Sequence, residues 1–234
     1  VVFTSDNGPW LPFESHSGSA GLLREGKGST WEGGQRIPGI FWGADISPGV
    51  VSDLGSTMDI FPTLLEMSNT SMVDDRIMDG ISLKNTLLNH EPSKRETIFY
   101  YRSREIYAVR FGKYKAHFIT QGAYNYPPGS DKKKVLKKPL LYNLNIDPSE
   151  KYDIADRNPE ILIKINKIVE IHKKNLIAPE DLLNDREGAK WILLFADDNR
   201  CVFNSGITKY IKRINKKLDG FVFLLFSIFY IYYN

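Results

Sequence analysis

From Ser5 to Gln35 the chain shows neither helical nor strand periodicity, yet glycines at 8, 18, 21, 26, 28, 33 and 34 alternate with Trp10, Phe13, Leu22, Leu23 and Trp31. Structureless stretches of this length inside a compact domain are uncommon and are functional or disordered. Five large apolar side chains argue against disorder, because disordered segments lack residues worth burying. The stretch therefore reads as an ordered loop held between scaffold elements. Val1-Val2-Phe3-Thr4 resembles the end of a buried strand before it, running into the turn signal Ser5-Asp6-Asn7-Gly8-Pro9. Ile37 to Trp42 resumes a short apolar strand after it. The apolar run at the first residue, with no Met, carries the expectation that the chain is a fragment whose upstream part, including any signal peptide, is unseen.

Met58 to Met67 predicts a helix with Asp59 as N-cap, Pro62 in the first turn and an apolar stripe of Ile60, Phe61, Leu64, Leu65 and Met67. The pattern then changes. Ile98–Arg102, Ile106–Phe111, Tyr114–Phe118 and Leu140–Leu144 read as four short strands, with Gly112-Lys113 as a hairpin turn. Asn158-Pro159-Glu160 opens a helix that buries Ile161, Ile165, Ile168 and Val169. The expected organisation is a core portion over 1–95, a small α+β unit over 96–187, and an unassigned tail over 188–234.

Charge and cysteine content narrow the class. A formal net charge of +3 is too small to imply a polyanion partner. Two basic clusters, Lys132–Lys138 and Lys209–Lys217, read as solvated loop or helix faces rather than as a nucleic-acid surface. A single cysteine, Cys201, excludes an internal disulfide framework. Residues 221–234 are almost wholly apolar but too few to span a membrane, which takes about 20 residues. They fit a membrane-surface anchor, a buried strand or non-native sequence; their Phe/Ile/Tyr/Asn bias favours the last.

Four places can carry chemistry. Asp6-Asn7 offers a carboxylate beside an amide carbonyl, hard oxygen ligands of the kind Ca²⁺ or Mg²⁺ takes, at a strand end where α/β sheets bind ligands. Alone, Asp-Asn-Gly is more often just a turn. Lys27, between Gly26 and Gly28, can neutralise an anion that approaches the backbone, or be an exposed loop lysine. It is not a Walker A lysine, because the spacing fails. Arg36 fits a brace for the loop better than an anion site. His16, in Ser15-His16-Ser17, can hydrogen-bond a sugar or be an ordinary surface histidine. No zincin, α/β-hydrolase or zinc-finger pattern occurs.

Taken in order, these segments resemble the sulfatase family. Val1 to Pro9 resembles its strand-plus-metal motif. Gly26-Lys27 with Glu32-Gly33-Gly34-Gln35-Arg36-Ile37-Pro38 resembles its Gly-Lys-x-x-x-x-Glu-Gly-Gly-x-Arg-x-Pro segment. Met58 to Leu64 resembles the Asp-x-x-Pro-Thr helix. Tyr114 to Phe118, Leu140 to Leu144 and Asp147 to Glu150 resemble the C-terminal sheet. Order and spacing are similar to the branch holding arylsulfatase A and N-acetylgalactosamine-6-sulfatase, over residues 1 to about 187. The resemblance implies the C-terminal part of an alkaline-phosphatase-like α/β/α fold, followed by a small antiparallel sheet with a packed helix. It implies one Ca²⁺ with Asp6 and Asn7 among its ligands, Lys27 against the sulfate, and a sulfated carbohydrate or aryl sulfate as substrate. It further implies a secreted, periplasmic or lysosomal location, which the sequon Asn69-Thr70-Ser71 fits.

One departure matters. Sulfatases use a formylglycine made from Cys or Ser in a Cys/Ser-x-Pro/Ala-x-Arg motif, which this chain lacks; Cys201-Val202-Phe203-Asn204-Ser205 has neither the Pro nor the Arg. The expectation is a sulfuric ester hydrolase fragment that is inactive alone. The alternative is a non-catalytic remnant that binds sulfated glycans or a membrane surface. A related phosphatase or phosphonate hydrolase shares the fold, and the Gly26-Lys27 and Glu32-Gly33-Gly34 context favours sulfatase over it.

Overall fold

A computed structural model describes residues 1–177 except 44, 72–74, 76, 125–128 and 131, together with 196–197 and 200–201. Residues 1–178 form one compact unit and residues 179–234 a second. Of the second, the described part is a short antiparallel pair, Ala196–Asp197 with Arg200–Cys201. The apolar tail and the Lys209–Lys217 cluster lie outside the described residues.

In the first unit, β1 (Val2–Thr4) pairs antiparallel with β2 (Gly39–Phe41), so the long loop leaves and re-enters the same two-stranded ribbon. The intervening chain holds a 3-10 segment, Leu11–His16, and a single helical turn, α1 (Glu32–Gln35).

The predicted helix begins later and is capped differently. Ser56 caps a 3-10 turn over Thr57–Asp59 through a capping box with Asp59, and α2 (Ile60–Met67) follows. Asp59 makes no cap bond to α2. Its buried carboxylate instead accepts from Ser56 N at 2.8 Å, Ile81 N at 2.7 Å and the Arg95 guanidinium, whose Nε lies at 2.7 Å. The Arg95 fork in turn donates to the Asp79 carbonyl at 2.8 Å, so Asp59 ties the start of α2 to two later segments. A further short helix, α3 (Lys84–Asn89), lies on α2.

Four strands form a meander in the order β3 (Thr97–Arg102), β4 (Glu105–Phe111), β5 (Tyr114–Thr120) and β6 (Lys134–Asn143), all antiparallel. Gly112-Lys113 makes the predicted two-residue turn, with Gly112 at φ +54°, a conformation glycine adopts without strain. β6 is longer than the expected Leu140–Leu144. It takes in Lys134, Lys137 and Lys138, so that cluster is largely an edge strand rather than a loop or helix face. Lysines and the proline at 139 are tolerated there because one side of an edge strand makes no ladder bonds.

Side chains alternate across a strand, so the sheet has two different faces. One packs on α4 (Pro159–Asn175): Ile106, Val109, Ala116 and Leu141 meet Leu162, Ile165 and Val169 in the main core. Ile161 and Ile168, expected in that stripe, are half-buried, and Leu162 takes their place. Ile106 and Val109 share this face despite odd spacing because the β3–β4 register shifts at Tyr100/Tyr101. Asn158 precedes Pro159 as expected but does not cap with its side chain, which donates to Ile154 O at 2.9 Å. The other sheet face carries Tyr100, Lys115, His117 and Tyr142 and receives the glycine-rich loop.

Candidate active site

Asp6 and Asn7 follow β1 directly, and three backbone bonds fold the loop around them. Gly8 N donates to Gly34 O at 3.0 Å, Lys27 N to Pro9 O at 2.8 Å, and Gly33 N to Arg24 O at 2.7 Å. The Asp-Asn-Gly-Pro turn, the Gly-Lys-Gly segment and α1 thus form one knot. At Gly33 a Cβ would fall 2.2 Å from Glu25 O and 2.4 Å from Arg24 O, so only glycine fits between these backbones.

The Asp6 carboxyl sits below the ordinary carboxylate range. The Asn7 side-chain amide bonding it is the largest cause; slight burial opposes this, and backbone bonding and the Lys27 ammonium add to it. The Asn7 Oδ1 is buried with no hydrogen-bond donor. Lys27 is half-buried, its Nζ 5.3 Å from the centroid of the Trp10 ring. A carboxylate, an unpaired amide oxygen and a lysine are therefore carried on one backbone knot that follows β1.

Behind this knot lies a buried ionic cluster. Glu32 opens α1 and is 1% exposed; its Oε1 accepts from Lys115 Nζ at 2.8 Å and its Oε2 from Arg36 Nε at 2.8 Å. Burial alone would push the Glu32 carboxyl up, but Lys115, Arg36 and Arg110 overrule it and hold it below its usual range. Glu150 reaches in from the loop after β6. Its Oε2 accepts from the Glu32 backbone N at 2.6 Å, and its Oε1 lies 2.6 Å from His117 Nε2 and 3.3 Å from Lys115 Nζ. The Trp31 ring stacks on His117 at 4.1 Å between centroids, and the Arg24 guanidinium covers Trp31 at 3.7 Å. Burial drives the His117 imidazole down to about 4, against the upward pull of Glu150. A neutral ring donates Nε2–H to Glu150 and leaves Nδ1 bare, and Nδ1 has no partner.

Arg36 braces Glu32, as its sequence context suggested. His16 is exposed at the end of the 3-10 segment, and no contact among the described residues joins it to Asp6, Asn7 or Lys27.

Residues 1–70 match the sulfatase family, and residues 93–201 match the family described as the C-terminal region of aryl-sulfatase, together more than half of the chain. The chain belongs to the sulfatase family. Its sulfatase match runs past residue 187, where the motif resemblance ended. It is 40% identical over 174 residues to arylsulfatase A of Bos taurus, covering 69% of this chain and 34% of that protein. It is 35% identical over 215 residues to N-acetylgalactosamine-6-sulfatase of Canis lupus familiaris, covering 82% and 41%. Among solved structures it superposes on the PsFucS1 sulfatase from Pseudoalteromonas sp. with a TM-score of 0.67 at 30% identity, covering 74% of this chain and 36% of that one. The alkaline-phosphatase-like α/β class expected from sequence follows from this likeness. The chain spans between about a third and two-fifths of the length of these relatives.

As a sulfatase portion, the chain offers a calcium ion two suitable oxygen donors on consecutive residues: the Asp6 carboxylate and the Asn7 carbonyl, the latter buried and without a donor. Among the described residues no three acidic, histidine or cysteine side chains converge on one point. Sequence reading passed over the roles of Lys115, His117 and Glu150. The available signal was Lys115-x-His117, two polar residues two apart in an otherwise apolar strand, which places both on one face.

Proposed function

We propose that this chain supplies the downstream half of a sulfate-ester hydrolase site, with Asp6 and Asn7 holding Ca²⁺ and Lys27 holding the sulfate. The observation that carries the reading is that the loop folds back on itself at Lys27 N to Pro9 O, 2.8 Å, putting Lys27 on the same knot as the Asp6 carboxylate and the buried, unpaired Asn7 Oδ1. Cation, carboxylate and free oxygen then serve one tetrahedral oxyanion. As the bond from sulfur to the leaving oxygen breaks, negative charge builds on the ester. An ammonium already in place stabilises that charge without reorganising at the moment of reaction. Calcium bound there would add Lewis-acid polarisation of the same oxygens. Glu32, Lys115 and Glu150 contact none of these atoms; they hold α1 and so hold Gly33 and Gly34 against Arg24 and Gly8. His16 remains a further candidate sugar contact.

The substrate class is a sulfated carbohydrate or aryl sulfate. N-acetylgalactosamine-6-sulfatase and arylsulfatase relatives support it, as does the Ps i-CgsB neighbour solved with k-i-k-neocarrahexaose, at 25% identity and a TM-score of 0.62. A secreted, periplasmic or lysosomal setting goes with that class. No helix among the described residues is long and apolar enough to cross a membrane. The sulfatase relatives do not favour the alternative, a non-catalytic remnant that binds sulfated glycans or a membrane surface. A nucleic-acid partner has no support.

The reading predicts that the chain by itself does not hydrolyse an aryl sulfate, because no covalent nucleophile is in it; appreciable turnover would refute this. In a form that carries an upstream Cys/Ser-x-Pro/Ala-x-Arg motif, Lys27→Ala should lower kcat/KM by at least ~10²-fold, the scale of losing one transition-state donor. A near-normal value would remove Lys27 from the site.

A further inference from the structure

We infer that Trp10 and Tyr124 form an aromatic ledge beside Lys27 that receives the ring bearing the sulfate, making the site selective for ring sulfates over open-chain alkyl sulfates. The inference rests on the anion-site reading of Lys27 and adds what lies on the ester's other side. Trp10 and Tyr124 stand side by side, their ring centroids 6.1 Å apart at 60°. That gap is too narrow and too splayed for a third ring to be sandwiched between them. It leaves an open corner across which one flat face can lie.

Both rings are fixed to the sulfate loop itself. Lys27 Nζ sits over the Trp10 ring at 5.3 Å, and Phe13 buttresses Trp10 edge-on at 4.7 Å. Gly28 has φ +89°, and a Cβ there would come 2.5 Å from Tyr124 Cε2, so the tyrosine ring rests directly on the Lys27-Gly28 backbone. Two contacts hold it there. Ala123 N donates to Glu25 Oε2 at 3.0 Å, and Arg102 Nη1 donates to Gly28 O at 2.8 Å with its guanidinium 6.0 Å from the Tyr124 centroid. A sulfate oxygen hydrogen-bonded to Lys27 lies about 2.8 Å from Nζ. A ring hung from that sulfate by one ester oxygen comes within the roughly 4.5–7 Å centroid range of aromatic contact with the ledge. An alkyl chain offers no flat face and must freeze more rotors to cover the same surface.

The test uses the full 234-residue chain in calcium-containing buffer, with affinities for phenyl sulfate, hexyl sulfate and inorganic sulfate measured by ligand-detected NMR. Hexyl sulfate carries as many carbons as phenyl sulfate and the larger apolar surface, so tighter binding of the phenyl ester reports ring shape rather than hydrophobicity. Phenyl sulfate should bind about tenfold more tightly than hexyl sulfate, the scale of one stacking contact. Trp10→Ala and Tyr124→Ala should each bring the two esters within about threefold of one another, each variant's inorganic sulfate affinity serving as its own reference, and Trp10→Phe should keep most of the preference. Thermal midpoints of the variants confirm that they fold; if either alanine variant does not, Trp10→Leu and Tyr124→Leu take its place. Equal affinity for the two esters, or a preference the variants leave intact, overturns the ledge while the sulfate site stands, provided Lys27→Ala still abolishes sulfate binding. If Lys27→Ala leaves inorganic sulfate binding unchanged, or sulfate does not bind at all, the anion site falls and the ledge with it.

Discussion

Glu32 shows what a single buried charge demands. A carboxylate at 1% exposure is tolerated only because Lys115, Arg36 and, at 3.9 Å, Arg110 surround it. Lys115 is itself fully buried, shared with Glu150 and lying over the Tyr100 ring at 4.4 Å. Lys115→Met removes the cation the two carboxylates share, leaving Glu32 to Arg36 and Arg110 and Glu150 with no buried ammonium beside it, so it should cost about 3–5 kcal/mol of stability in urea unfolding; a loss below about 1 kcal/mol would contradict the clamp. His117 adds a pH dependence. Its folded pKa, about 4, lies below the ordinary 6.5, so the unfolded chain takes up its proton first as pH falls. The groups facing it are Glu150, Lys115, Arg24, Trp31 and Tyr142. Stability should therefore fall from about pH 6.5 to about pH 4, by roughly 3 kcal/mol from this group, and His117→Gln should flatten that slope. An unchanged slope between wild type and variant would assign the pH response elsewhere. At this scale the sequence was informative about residue type and blind to partners. Asp59 was legible as a carboxylate that accepts backbone N–H groups, but Ile81 and Arg95 stand 22 and 36 residues away and no local pattern announces them.

Elements that rest on periodicity were read well, and those that rest on tertiary contact were not. The β4–β5 hairpin and α4 follow from alternation, Gly112 and the Asn-Pro-Glu start, all local signals. The four-residue α1 has no such signal, because its stability comes from Glu150 accepting the Glu32 N–H and from Gly33 and Gly34 fitting between other backbones. The first half of β6 carries lysines and Pro139, which fit a strand only at a sheet edge, and topology alone shows that edge. The glycine-rich loop was rightly read as ordered, and its order depends on Gly33 more than on any side chain. Gly33→Ala should lower the urea midpoint, with a loss above about 2 kcal/mol, because the clash is with two backbone carbonyl groups and no flexible side chain can yield. A variant as stable as wild type would mean that the loop can open there without cost.

Across the molecule, one sheet does two jobs. Its α4 face supplies the apolar core of the small unit, and its opposite face supplies the ionic clamp that fixes the glycine-rich loop. The loop holding Lys27 is thereby set by residues a hundred positions further along the chain, and damage to Lys115 or Glu150 should reach Asp6 and Lys27 through α1. The proposed site was legible from sequence as a set of family motifs; the backbone bonds that fold Asp6, Asn7 and Lys27 into one loop knot needed the fold. The most direct test of that convergence is metal binding by the chain itself. Terbium, a luminescent stand-in for Ca²⁺, should give tryptophan-sensitised emission on titration, with Trp10 the sensitiser beside Lys27, and millimolar calcium should displace it, as befits a partial set of oxygen ligands. Asp6→Ala should abolish the saturable signal. Emission that persists undiminished in Asp6→Ala would contradict the claim that Asp6, Asn7 and Lys27 share one site.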